Sequence, residues 1–249
     1  MIRMTHSTRV SQTVILAAGS GSRLASTRGD VPKPLTTVGG IPLIGHALEH
    51  ARISGCDEAV IVVGYEAERV RDAVEQMCPA LRIRFLQSPD YTAPNGVSLL
   101  AAEPATAPAF YLQMVDHLFA EPALPQLMAR PLSHSDGGRV LIDRHPAPSL
   151  DLSDATKVRL NGDRVSAIGK ALEPWDAIDA GCFVLTHAIF DALRHAPSGE
   201  ARTVSSGMRQ LVSAGLLGAV ALDGVAWVDV DTPADHDIAE RLVARTQVA

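Results

Sequence analysis

The chain is poor in aromatics, which make up 4% of its 249 residues, and it has no surplus of positive charge. Its formal net charge is −6, and its lysines and arginines are scattered rather than gathered into a stripe. Such a chain lacks both the field that draws a polyanion and the stacking platforms that hold single-stranded bases, so nucleic acid is excluded as a partner. Cysteine is scarce as well. Cys56, Cys78 and Cys182 are odd in number, with neither CxxC nor metal-like spacing, which excludes a disulfide scaffold and fits a reducing compartment. Cys182 falls inside an apolar run and reads as a buried structural thiol. No uninterrupted apolar run reaches the length of about 18 residues that a membrane-spanning helix needs. Residues 1–12 are polar and mixed, without the apolar core of a secretory leader. We therefore expect an N-terminal extension over 1–12, no membrane segment and a cytoplasmic setting.

What the chain does have is apolar content, at 47%, enough for one substantial core, and we read residues 1–249 as one domain. Strand-length apolar runs alternate with helical periodicity. Val14–Ala18, Ala59–Val63, Ile83–Leu86 and Phe110–Val115 read as strands. Ile41, Ile44, Leu48 and Ala51, then Val70, Ala73, Val74 and Met77, recur at helical spacing between them. This alternation predicts an α/β fold with a mostly parallel sheet covered on both faces. In the middle, Thr156–Leu160 and Arg164–Ile168 flank Asn161-Gly162-Asp163, a hairpin signal, so a small antiparallel insertion is expected at about 138–180. Ala177–Leu185, Val220–Leu222 and Ala226–Val230 resume the strands. Thr232-Pro233 then opens a last helix, and Pro131–Gly138 reads as a surface loop.

The strongest chemical signal is the first strand running into Gly19-Ser20-Gly21-Ser22-Arg23-Leu24 and then Pro32-Lys33-Pro34-Leu35. Glycines at the carboxyl end of a parallel strand bare backbone N–H groups where phosphates bind. Arg23 and Lys33 would add a fork and a point charge. The Walker loop requires Gly-Lys-Ser/Thr after its glycines, and the dinucleotide fingerprint requires a small residue where Leu24 stands; neither fits.

Leu16-Ala17-Ala18-Gly19-Ser20-Gly21-Ser22-Arg23-Leu24 with Pro32-Lys33-Pro34-Leu35 resembles the signature of the sugar-phosphate nucleotidyltransferases. Further matches are Asn95–Leu100, Met114-Val115-Asp116-His117, Ala155–Val158, Ile168-Gly169-Lys170, Asp179–Leu185 and Trp227–Thr232. In that order the set is most similar, from about Thr13 to Leu242, to the branch of the family that joins CTP to inositol 1-phosphate.

The resemblance implies a Rossmann-like, GT-A-type fold and transfer of a nucleotidyl group, with pyrophosphate released. A Mg²⁺ ion would sit between Asp116 and Asp229 or Asp231. The two C-terminal carboxylates alternate onto one side of their strand, and their shares are left open. Arg23, Lys33 and Lys170 are expected as the catalytic cations, with Lys170 facing the acceptor phosphate although Gly169-Lys170-Ala171 stands in place of the family's Glu-Lys-Pro. Leu16, Ala17, Ala18, Gly19, Ser20 and Gly21 are expected around the nucleotide. Gln87, Asn95, Gly96 and Ser98 are expected at the base, with Asn-Gly equally readable as a turn. Asp143, Lys157, Lys170 and Asp179 are expected at the acceptor.

His117 is assigned no proton transfer. The partners are then a nucleoside triphosphate and a small phosphorylated alcohol; a homo-oligomer is compatible with the sequence. Family members are often fused to a membrane-embedded synthase, so a separate downstream enzyme is expected. Phosphocholine, a phosphonate or a sugar phosphate with another triphosphate is the alternative pair. A non-catalytic nucleotide-sensing domain is the alternative class.

Overall fold

A computed structural model of the chain describes residues 9–21, 31–133, 135–197 and 201–246. Arg23, expected on the triphosphate, and most of the N-terminal extension lie outside these residues. The strands are β1 (Gln12–Ala17), β2 (Thr37–Val38), β3 (Ile41–Pro42), β4 (Glu58–Val63), β5 (Arg82–Gln87), β6 (Ala109–Met114), β7 (His117–Phe119), β8 (Gly138–Asp143), β9 (Lys157–Asn161), β10 (Arg164–Gly169), β11 (Ala177–Thr186), β12 (Leu217–Ala221) and β13 (Trp227–Asp229). The helices are α1 (Leu43–Ile53), α2 (Ala67–Met77), α3 (Asn95–Ala102), α4 (Leu124–Leu127), α5 (Ala188–Arg194), α6 (Val204–Ser213) and α7 (Pro233–Thr246).

Nine strands form one sheet in the order β5-β4-β1-β6-β11-β8-β12-β10-β9. The first four are mutually parallel; β1, β4 and β6 are mostly apolar and buried on both faces, whereas the edge strand β5 alternates exposed arginines with half-buried apolar residues. β11 runs antiparallel to both β6 and β8, which makes the sheet mixed. The hairpin expected around Asn161-Gly162-Asp163 forms, with Asn161 opposite Arg164 and Gly162 at φ 63°. It extends the main sheet, because β10 pairs with β12 and β9 with the start of β11.

Strand alternation divides the core in two. Val14 and Leu16 face α3, α5 and α6 with Leu99, Phe190 and Met208. Ile15 and Ala17 face α1, α2 and α4 with Ile44, Val74 and Leu127. Ile41 is a correction to the helical reading: it belongs to the short β2–β3 ribbon and is 44% exposed, and α1 starts two residues later, after Pro42. α7 starts where Thr232-Pro233 predicts. Asp235 Oδ2 accepts from Thr232 N at 2.8 Å, and Thr232 Oγ1 accepts from Asp235 N at 3.3 Å, a reciprocal cap. No helix among the described residues is long and apolar enough to cross a membrane.

Candidate active site

The carboxyl ends of β1 and β6 are neighbours, with Leu16 opposite Met114. The glycine loop that leaves β1 and Asp116, which follows β6, must therefore meet. Beyond Asp116 the chain turns into β7, which pairs with β13 and sets Asp229 opposite His117. Val230 N donates to Asp116 O at 2.9 Å and ties the two segments together. Lys33 arrives from the other side on a single helical turn between Pro32 and Thr36. A cavity of about 730 Å³ opens over this junction.

Inside it Lys33 Nζ donates to Asp116 Oδ2 and Asp231 Oδ1. Burial disfavours the ammonium, but Asp116, Asp231 and Asp229 outweigh it and hold the Lys33 pKa well above that of an ordinary lysine. Asp116 is its counterpart: burial is overcome by Lys33 and His117, and its carboxyl stays well below the usual range. His117 Nδ1 sits 2.9 Å from Asp116 Oδ1 and 3.8 Å from Asp229 Oδ1. Against burial, Asp229, Asp116 and Asp179 raise its pKa to about 9. Burial, opposed by His117 but reinforced by Asp116 and Asp231, pushes Asp229 up to about 7.

Asp229 Oδ1 is buried without a hydrogen-bond partner, an expensive condition for a carboxylate oxygen. Asp116, His117 and Asp229 each offer one ligand atom within 4.8 Å of the others. Two carboxylates converging on a point with one oxygen unsatisfied fit a hard divalent cation such as Mg²⁺. Asp231 lines the same cavity, in keeping with the alternation along 227–231.

The same cavity is also lined by Lys170, Asp179, Asp151, Asp154 and Thr156. Lys170 Nζ pairs with Asp154 Oδ1. Asp179 Oδ1 accepts from Gly181 N at 2.7 Å, and burial pushes its carboxyl up to about 6 against that bond and His117. Trp227 also lines the cavity and stacks on His117 at 5.6 Å between ring centroids.

Of the residues singled out from the sequence, Leu16, Ala18, Gly19, Ser20 and Gly21 line the cavity with Lys33, Asn95, Ser98, Asp116, Lys170, Asp179, Asp229 and Asp231. Five expected residues stand elsewhere. Ala17 alternates to the opposite face of the sheet and packs with the α1 side of the core. Gln87 ends the edge strand β5 and is exposed. Gly96 is buried against the 201–203 segment, where a Cβ would lie 2.5 Å from Arg202 O. Asp143 accepts from Trp227 Nε1 at 2.9 Å and from His145 N at 2.8 Å. Lys157 is buried and donates to Lys170 O at 2.7 Å. Asp143 and Lys157 each stand behind a cavity residue rather than on its wall.

Sequence reasoning passed over Trp227, Asp151, Asp154 and the start of α6, where Val204 and Ser205 join the lining. His117 was visible in Met-Val-Asp-His, and its place between two carboxylates needed the β7–β13 pairing.

A glycine loop, a buried lysine and three carboxylates at the carboxyl edge of a Rossmann-like sheet define the class of nucleotidyltransferases. The chain belongs to the MobA-like NTP transferase domain family, whose model matches residues 13–150. The bifunctional IPC transferase and DIPP synthase of Rubrobacter xylanophilus is 36% identical over 92% of this chain and 51% of its own length. The protein of the same name from Thermococcus kodakarensis is 29% identical over 94% and 51%. A CMP-5'-(3-aminopropyl)phosphonate synthase of Streptomyces rubellomurinus is 30% identical over 90% of this chain and 37% of its own. The chain thus spans about half the length, or less, of these curated relatives. Among solved structures, the inositol-1-phosphate CTP transferase from T. maritima superimposes with a TM-score of 0.85 at 23% identity, covering 96% of each chain, a likeness of fold.

Proposed function

We propose that the chain transfers a cytidylyl group from CTP to inositol 1-phosphate. The observation that carries this reading is the meeting of Lys33, Asp116, Asp229 and Asp231 with the glycine loop in one cavity that Lys170 and Asp179 also line. The relatives named IPC transferase and the fold neighbour named inositol-1-phosphate CTP transferase support the substrate pair.

The backbone N–H groups of Gly19 to Gly21 face the triphosphate, with Lys33 beside them. Asp116 and Asp229, with Asp231 alongside, would hold Mg²⁺, which supplies charge neutralisation on phosphate oxygens when bound. Lys170 draws the acceptor phosphate against the triphosphate and offsets their repulsion. An acceptor oxygen forms a bond to the α-phosphorus as the bond to the bridging oxygen breaks, and pyrophosphate leaves. The attacking oxygen is already anionic, so no side chain need take a proton, and positioning does most of the work.

Asp179, Asp151, Asp154 and Thr156 give the acceptor end several oxygens that accept from hydroxyls, which favours a polyhydroxylated ring. A phosphonate acceptor is the second reading, favoured by the Streptomyces relative. Pyrophosphate release from five nucleoside triphosphates against inositol 1-phosphate, phosphocholine, hexose 1-phosphates and phosphonates tests both. CTP with inositol 1-phosphate is expected to be fastest. Release with no acceptor in the panel, or equally with all of them, would refute the assignment. Asp116→Asn should lower turnover by at least about a hundredfold while the protein stays folded.

A further inference from the structure

Lys33 occupies an unusual place for a phosphate-binding lysine. Its ammonium donates to Asp116 Oδ2 and Asp231 Oδ1 at once, although both carboxylates belong to the set that would hold a divalent cation. Only 7% of the residue is exposed, so water does little to screen this charge from an ion arriving beside it. The stem lies against the glycine loop: a Cβ on Gly21 would come within 2.4 Å of Lys33 Cβ. The Lys33 side chain thus runs from the glycine loop, against its stem, to the two carboxylates, at its ammonium.

We propose that Lys33 is a tethered counter-ion that competes with the divalent cation for Asp116 and Asp231, so that metal and triphosphate bind in concert. The proposal rests on the metal reading above and adds an order of events to it. While Lys33 lies on both carboxylates, a metal ion alone meets a resident positive charge. An incoming triphosphate offers Lys33 better acceptors at the glycine loop. As the ammonium leaves, Asp116 and Asp231 are released to the cation that accompanies the phosphates. Each ligand then strengthens the other by the same factor, as linkage requires.

The probe is Mn²⁺ alone, without nucleotide, titrated by electron paramagnetic resonance into the wild-type chain, Lys33→Gln, Lys33→Met and Asp116→Asn. Gln keeps an N–H donor toward the carboxylates, and Met keeps the packed stem, so the two variants fail for different reasons if either fails to fold. Thermal melts with and without Mn²⁺ accompany each titration. The expected result is Mn²⁺ binding about tenfold tighter in the Lys33 variants than in the wild type, with a larger Mn²⁺-induced rise in Tm, and weaker binding in Asp116→Asn. If Asp116→Asn weakens binding while both Lys33 variants bind Mn²⁺ no better than the wild type, competition is overturned and the metal site stands. If Asp116→Asn binds as the wild type does, the metal site itself is refuted and competition with it.

Discussion

A methyl group on residue 181 would fall 2.1 Å from His117 Cδ2, so Gly181 and His117 share a space that admits no side chain at 181. Gly181 also holds φ at 73°, within a register shift of β11 that opens between Asp179 and Phe183. Bulges of this kind re-aim side chains near active sites. Here the bulge clears the sheet for an imidazole that touches Asp116 and approaches Asp229. Gly181→Ala should cost at least ~2 kcal/mol through the clash and the left-handed backbone together. Chemical denaturation would show it. The pair His117→Ala/Gly181→Ala should recover part of the loss, and strict additivity in that double-mutant cycle would contradict the packing argument.

The buried His50 sets a pH dependence away from the reacting groups. Its Nδ1 is 2.6 Å from Gln113 Oε1, and its Nε2 accepts from Ala123 N at 2.9 Å, an arrangement that requires the neutral ring with the proton on Nδ1. Burial lowers its pKa from the ordinary 6.5, against the bond to Gln113. A lowered folded value means that the unfolded chain takes up a proton first as pH falls. The stability His50 contributes is thus whole above 6.5 and drains away below it, down to the folded value. Unfolding free energies of the wild type and His50→Gln, measured from pH 7.5 to 5, should converge on acidification. A constant difference would mean that His50 does not titrate in this way.

Asn95 was expected to read the base, and its Oδ1 accepts from Val204 N at 2.8 Å, at the start of α6 on the cavity wall. Asn95→Ala leaves a backbone N–H without that acceptor and should cost ~1–2 kcal/mol, with a raised KM for the nucleotide. Asn95→Asp keeps the oxygen and should restore most of both. If Asp restores stability but not KM, the amide nitrogen contacts the nucleotide directly.

Lys157 holds the carbonyl of Lys170 from behind the cavity. In Lys157→Met the backbone at Lys170 loses that anchor, so KM for the acceptor should rise by about tenfold while KM for CTP stays unchanged. An equal rise in both would show that the variant disturbs the fold generally.

How far the sequence could be read follows the range of the interactions involved. β1, β4 and β6 are mostly apolar runs, a local signal that β5 gives more weakly around Arg84, and Asp116 and Lys33 stand at ends of segments where a motif can point to them. β8 escaped because Arg139 interrupts its run. That guanidinium is 1% exposed, and Leu127 O, Arg130 O, Pro131 O and Asp136 accept from it, none of them predictable as its partners from spacing. In α6 the periodic Val204, Met208 and Leu211 are diluted by Ser205, Ser206 and Gly207, and the cap bond from Ser206 N to Thr203 Oγ1 is easily overlooked beside Arg202. Asp143 and Lys157 carry the right chemical groups for a polar ligand. Only the long-range bonds to Trp227 Nε1 and Lys170 O reveal that each supports a neighbour instead.

β11 is ten residues long; its C-terminal half lies on β6 and its first residues on β9. One strand therefore joins β6, which Asp116 follows, to the hairpin that leads to Lys170, and it does so through the bulge between Asp179 and Phe183. Under the proposed function, differently shaped acceptors would be met by the segment between β8 and β9, which contributes Leu150, Asp151, Asp154, Ala155 and Thr156 to the cavity lining. Exchanging that segment is the shortest route to a new acceptor on an unchanged frame.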